Sequence, residues 1–196
     1  MNTVCVFAGS NAGERKTYAQ EARNLGRCLL ENNIRLVYGG SSIGLMGEVA
    51  NEMLTSGGEV IGVMPKGLFR GEVVHRSLTK LVEVDGMHER KAKMSDLSDG
   101  FITLPGGAGT FEELFEIYSW AQIGIHDKPM GLLNVEDYFL PLLNMIQYSV
   151  REGFSNEDNL ELLTVDASPQ KLLEKMAPYQ RPHLRPKWKN RNDDED

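Results

Sequence analysis

Short apolar runs alternate with helical spacing along most of the chain. Thr3 to Ala8 reads TVCVFA, apolar nearly throughout, and stops at the glycine-bearing stretch Gly9 to Gly13. Helical spacing follows from Tyr18 to Asn33, through Ala22, Leu25 and Leu29. The unit then repeats, with a strand over Ile34 to Tyr38, glycines from Gly39 to Gly47, and a helix carrying Val49, Ala50, Met53 and Leu54. Val60 to Met64, Leu81 to Val84, Phe101 to Leu104 and Met130 to Val135 read as further strands, and Leu160 to Val165 as a short last one. Helical patterns start at Met87, Phe111 and Tyr138, the last reaching Arg151 with Pro141 near its start. Ser168-Pro169 supplies an N-cap and first-turn proline for a helix ending near Met176. Strands this uniformly apolar are covered on both faces. The alternation predicts an α/β domain whose sheet is doubly wound and mostly parallel, with about six or seven strands and helices on both faces.

Two stretches fall outside the pattern. Lys66 to Thr79 has no clear period and reads as a loop over the site. After Pro178 the chain carries prolines, scattered Arg and Lys, and the acidic end Asp193 to Asp196, too little apolar surface to order itself. The expected organisation is one Rossmann-like nucleotide-binding domain over residues 1–177 and a flexible tail over 178–196. Trp188 is the exception in the tail, and could dock on a partner subunit.

In an open parallel sheet, ligands bind beyond the carboxyl ends of the strands. Gly9-Ser10, Gly39-Gly40 and Gly106 to Thr110 all fall at that edge, and three glycine loops together favour a mononucleotide site over three unrelated tight turns. A G-x-G-x-x-G after the first strand is lacking, which argues against a standard dinucleotide site.

The most informative stretch runs from Met87 to Gly124. Within it the strand Phe101 to Leu104 stops at Pro105, Gly106, Gly107 and Gly109 follow, and a helix begins at Phe111. Backbone amides at such a helix start can hold an anion, a phosphate above all. Thr110-Phe111-Glu112-Glu113 also fits a capping box, with Thr110 as N-cap and Glu113 reaching back to it. Glu113 is therefore either a cap or a working carboxylate. Upstream, Arg90 and Lys91 are adjacent cations, and Arg90 offers a fork of donors to a phosphate or a planar base. Glu112 reads as a solvated first-turn carboxylate, and Phe111, Leu114, Phe115 and Tyr118 as the buried face of the helix.

Composition narrows the classes. The 196 residues are 41% hydrophobic and 25% charged, an ordinary globular balance, and the net charge of −7 speaks against a nucleic-acid polymer as partner. One phosphate needs only a few amides and a cation. Cys5 and Cys28 sit in apolar periodic runs, as small core residues rather than a disulfide or metal pair. The four histidines have no metal-ligand spacing, so no metal and no cofactor are implied. With neither a leader-like segment nor a membrane-length run, a cytoplasmic location is expected.

PGGAGTFEE, Pro105 to Glu113, matches a PGGxGTxxE signature, and Met87-His88-Glu89-Arg90-Lys91-Ala92 its companion motif. The chain thereby resembles the LOG family of cytokinin riboside 5'-monophosphate phosphoribohydrolases, whose members have often been labelled lysine decarboxylases. The similarity continues through Ser119 to Asn134 and reaches about Met176. The resemblance implies that Arg90 and Glu113 are the catalytic pair. It also implies that Glu72, Lys91, the run Gly107, Ala108, Gly109, Thr110, Phe111 and Glu112, and Ser119 contact a nucleoside 5'-monophosphate. Gly9, Ser10, Gly39 and Gly40 line the same crevice. The family's YGGG reads Tyr38-Gly39-Gly40-Ser41 here, which puts a hydroxyl where backbone approach matters. A homodimer is expected from the resemblance and from apolar Trp120, Ile123 and Ile125. The alternatives are a broader nucleotide nucleosidase, a carrier of a phosphorylated ligand, and a pyridoxal-phosphate decarboxylase, for which no lysine is singled out.

Overall fold

The computed structural model describes residues 1–67 and 74–184. Its seven-stranded sheet contains β1 (Thr3–Phe7), β2 (Arg35–Tyr38), β3 (Val60–Pro65), β4 (Lys80–Val84), β5 (Gly100–Thr103), β6 (Met130–Leu133) and β7 (Leu163–Asp166). The order is β4-β3-β2-β1-β5-β6-β7, and every neighbouring pair is parallel. Among the described residues six α-helices cover it: α1 (Lys16–Glu31), α2 (Gly44–Thr55), α3 (Met87–Asp96), α4 (Ala108–Gln122), α5 (Leu140–Arg151) and α6 (Pro169–Met176).

The period-2 alternation of β1 explains why helices flank both faces. Val4 and Val6 point into one core with Leu25 and Leu29 of α1, Val49 and Met53 of α2, and Leu172 and Met176 of α6. Cys5 and Phe7 point the other way, toward Met94 of α3, Ile117 and Ala121 of α4, and Ile146 of α5. The edge strand β4 is mostly exposed and carries Lys80 and Glu83, charges that discourage further pairing. Helix α6 begins as its sequence predicts, the Ser168 hydroxyl accepting from Lys171 N at 3.5 Å with Pro169 in the first turn. Among the described residues no helix is long and apolar enough to cross a membrane.

Three expectations change. The strand foreseen over Leu160 to Val165 is a 3-10 turn at Glu157–Leu162 followed by β7. The Tyr118 hydroxyl donates to Asn159 O at 3.0 Å, and Leu162 is buried against α4, so the first half is held by a helix instead of a neighbouring strand. Phe115 is 40% exposed, because Leu114, Ile117, Tyr118 and Ala121 already fill the buried stripe of α4. The start of the tail is bound down: Arg181 donates to Ala121 O at 3.0 Å, and Leu184 packs on the second core. Trp188 and the acidic end lie outside the described residues.

Candidate active site

The chain builds outward from β1 to β4, then returns to the other side of β1 with β5. The loops after β1 and β5 therefore diverge at the carboxyl edge and leave a crevice. They are tied together there: Gly9 N donates to Pro105 O at 3.0 Å, and Leu45 N of α2 donates to Gly9 O at 3.0 Å. Gly44 permits that approach, with φ +64 and a position where a Cβ would overlap the Ser10 backbone. His75 N donates to Gly40 O at 2.9 Å, and Ser41 bridges Val74, which brings the segment after residue 73 onto the second glycine loop. The Ser41 hydroxyl accepts from Ile43 N at 3.3 Å and so serves its own turn.

Helix α4 starts at Ala108, three residues earlier than its hydrophobic pattern suggests. Gly107 is its N-cap and no side chain caps it. Thr110 lies inside the first turn, buried beneath Gly106, whose Cβ would overlap the threonine hydroxyl. The capping-box reading of Thr110 and Glu113 is thus overturned by packing, since a helical, buried Thr110 is not an N-cap and Glu113 has nothing to reach back to. Gly107 and Gly109 differ from Gly106, because a Cβ on either would meet nothing within 4 Å. The fold does not require glycine there, and the open space lies against amides that carry the positive end of the helix dipole.

Freed from capping, Glu113 meets Arg90 of α3, whose Nη1 donates to Glu113 Oε1 at 3.0 Å, the two side chains being 10% and 13% exposed. Arg90 Nε donates to Val63 O of β3 at 3.1 Å. Gly39 makes room for this arginine, since a Cβ there would overlap Nη2. Burial raises the Glu113 pKa above its ordinary value, and the Arg90 guanidinium pulls in the opposite direction without cancelling it. The product is a carboxylate held in a fixed direction but easier to protonate than a free one.

The adjacent Lys91 is turned elsewhere. Its ammonium, 8% exposed, pairs with Glu112 and, at 2.9 Å, with Glu116, both on α4. Burial works to lower its pKa, but the two carboxylates prevail and hold it above the ordinary lysine value. Ser119 is exposed about three turns along α4, roughly 16 Å from the helix start at 1.5 Å per residue, so it is not brought to the amides of its own chain. Glu72 lies outside the described residues. Cys5 is buried, and burial together with the nearby Glu113 charge pushes its thiol pKa well up, which makes it an inert core residue.

Gly9, Ser10, Gly106 and Gly107 line a cavity of about 220 Å³, closed by Tyr18, Leu45 and Tyr138. Neither Arg90 nor Glu113 lines it. Tyr138, which sequence reasoning treated only as a helix start, donates its hydroxyl to Gly106 O and stacks on half-buried Phe111 at 6.4 Å. Val63 was missed too, since a backbone carbonyl leaves no mark in sequence.

Residues 46–176 match the family model described as possible lysine decarboxylase. The probable cytokinin riboside 5'-monophosphate phosphoribohydrolase LOGL2 of Oryza sativa subsp. japonica is 47% identical over 180 residues, covering 92% of this chain and 74% of that one. The cytokinin riboside 5'-monophosphate phosphoribohydrolase LOG1 of Arabidopsis thaliana is 47% identical over 176 residues, covering 90% and 83%. Among solved structures, the molybdenum cofactor binding protein of Rippkaea orientalis superposes with a TM-score of 0.67 at 20% identity, over 89% of this chain and 94% of that one. The molybdenum cofactor carrier protein of Chlamydomonas reinhardtii gives 0.67 at 19%, over 90% and 98%. These two likenesses concern the fold alone.

Proposed function

Because the chain belongs to the LOG family of cytokinin riboside 5'-monophosphate phosphoribohydrolases, we propose that it hydrolyses the N-glycosidic bond of an N6-modified adenosine 5'-monophosphate. The products are the free base and ribose 5-phosphate. The observation that carries this reading is the buried Arg90–Glu113 contact near the uncapped, glycine-flanked start of α4. The 5'-phosphate sits on the amides of residues 108–110. As the bond from C1' to nitrogen breaks, positive charge grows on the sugar, and Glu113 stabilises it and directs water to C1'. The base leaves with the bonding electrons and takes up a proton, while the water oxygen joins C1'. Arg90 is a fixed positive charge that keeps Glu113 oriented and offsets the charge on the departing base; being permanently protonated, it is not the acid.

The decarboxylase description of the family model fits these residues poorly. A Schiff-base lysine must be free to lose its proton, and Lys91 is buried between two carboxylates that hold the proton on. We also place the protein in the cytoplasm, a reducing compartment that suits two free cysteines. It acts there as a homodimer. Ile123 and Ile125 at the end of α4, Met145 and Tyr148 on α5, and nearby Phe154 are each half or more exposed, a large apolar surface for a monomer. Ser119 lies on α4 between exposed Phe115 and Ile123, where it serves the partner's substrate rather than its own. Sedimentation tests this, and a fully active monomer would refute it.

The decisive assay incubates the protein with isopentenyladenosine monophosphate, AMP and pyrimidine monophosphates and identifies the products. Free base and ribose 5-phosphate are expected, fastest from the isopentenyl substrate. Faster turnover of AMP or a pyrimidine nucleotide would refute the cytokinin preference, and no base release at all would refute the reaction. Glu113→Gln keeps the shape and removes the charge, so kcat falls by about 10²- to 10⁴-fold.

A further inference from the structure

Between β6 and α5, Glu136 and Asp137 are consecutive non-glycine residues in the left-handed region, with φ +53 and +56. Two such residues in a row persist only where their neighbours over-determine them. The Asn134 side chain spans this turn, accepting from Phe139 N at 2.8 Å and donating to Asp137 Oδ1 at 3.3 Å, while Asn134 N donates to Asp166 O of β7 at 2.8 Å. Phe139 is buried beside Leu114 and Leu132, and Arg15 Nη1 of the loop after β1 donates to Glu136 Oε2 at 2.9 Å. The clamped turn delivers Tyr138, whose hydroxyl donates to Gly106 O. We propose that Tyr138 and Asn134 are positioning residues: Asn134 clamps the turn that aims Tyr138 at the Gly106 carbonyl, and that contact sets the Gly107 amide as a phosphate donor beside those of residues 108–110.

The peptide between Gly106 and Gly107 is planar and trans, so its carbonyl and its N–H point in opposite directions. Holding the oxygen therefore holds the amide, and a hydroxyl donating to that oxygen polarises the N–H toward an anion. Packing does not do this work, since a Cβ on Gly107 would meet nothing within 4 Å. The tyrosine ring is itself fixed, stacked on Phe111 at 6.4 Å and edge-on to Tyr18 at 5.9 Å. Tyr138 bears on the loop, whereas Glu113 is held by Arg90, so loss of the hydroxyl should show in KM and leave the chemical step alone.

The kinetic part of the test rests on the phosphoribohydrolase reading; the NMR part does not. In the free protein the Gly107 amide resonance should move in Tyr138→Phe, which keeps the ring, and in Asn134→Ala. It should also respond less than in wild type to added ribose 5-phosphate. With isopentenyladenosine monophosphate, KM and the ribose 5-phosphate inhibition constant should each rise about tenfold in Tyr138→Phe with kcat nearly unchanged, as expected when one donor to a charged group is misdirected. Asn134→Ala should reproduce the rise in KM, and adding Tyr138→Phe to it should make little further difference. Should Asn134→Ala fail to fold, Asn134→Asp takes its place, since it keeps the acceptor for Phe139 N but sets a second carboxylate against Asp137. Wild-type KM in a folded Asn134 variant overturns the clamp, and a fall in kcat with KM preserved overturns the phosphate role of Tyr138. An unmoved Gly107 resonance in Tyr138→Phe, or no response of Gly107 to ribose 5-phosphate in wild type, overturns the proposal even if the protein turned over no nucleotide, a result that would count separately against the reaction.

Discussion

Gly39→Ala, far from Glu113 in sequence, should cripple the site through Arg90. The new Cβ would overlap Arg90 Nη2 and come within 3.3 Å of Met46 Sδ, so one side chain has to yield. The Gly39 backbone is outside the left-handed region, so strain is not the cause. An arginine tip ordinarily moves at little cost. This one is pinned by Nε to Val63 O at 3.1 Å and by Nη1 to Glu113 at 3.0 Å, and it is 10% exposed. Each charge-assisted bond is worth about 1.5–3 kcal/mol, and a guanidinium that swings into the open crevice recovers part of the loss by solvation. The net destabilisation should be about 1–3 kcal/mol, seen as a fall in Tm of about 2–4 °C per kcal/mol for a chain of this size. Activity should suffer more. Glu113 loses its oriented partner, so kcat falls by about 10²-fold and the acid limb of kcat/KM moves to higher pH. Thermal melting and a pH series of kcat/KM on the same preparation test both parts. Wild-type kcat with an unshifted acid limb would show that Arg90 does not hold Glu113 for catalysis.

In the wild-type protein the proton on Glu113 is bound more tightly than on a free carboxyl, so kcat/KM should fall on the acid side with a midpoint above the ordinary 4.5, and a midpoint at or below it would contradict the assignment. Gly109→Ala places a methyl where the protein has nothing, so Tm should hold while KM rises about tenfold as the phosphate is pushed off the amides; unchanged KM would move the phosphate elsewhere. Tyr138→Phe removes the hydroxyl that donates to Gly106 O, and should cost about 1 kcal/mol in denaturant unfolding with a loss of activity as the loop loosens. No change in either would make that contact incidental.

The alternation of apolar runs and helical spacing was enough to place most strands within a residue or two, because buried parallel strands have few polar positions to obscure them. Residues 105–109 were legible as a turn from strand to helix for a similar reason, since proline and several glycines interrupt both periods. Thr110 shows where local pattern misleads. Its sequence surroundings are those of an N-cap, but packing under Gly106 draws it into the helix, a long-range outcome no four-residue window contains. Arg90 and Glu113 were identified through a motif, but their contact spans two elements and depends on empty space at Gly39 and a carbonyl at Val63. Lys91 follows Arg90 in the same motif and on the same helix. On a helix neighbours diverge by about 100°, and that divergence sends Lys91 to Glu116.

The most direct test is a crystal structure of Glu113→Gln with isopentenyladenosine monophosphate bound. The account predicts a phosphate on the amides of residues 108–110 and C1' within about 4 Å of the residue 113 side chain, as a near-attack geometry requires. A phosphate seated elsewhere, or a ribose turned away from residue 113, would contradict it.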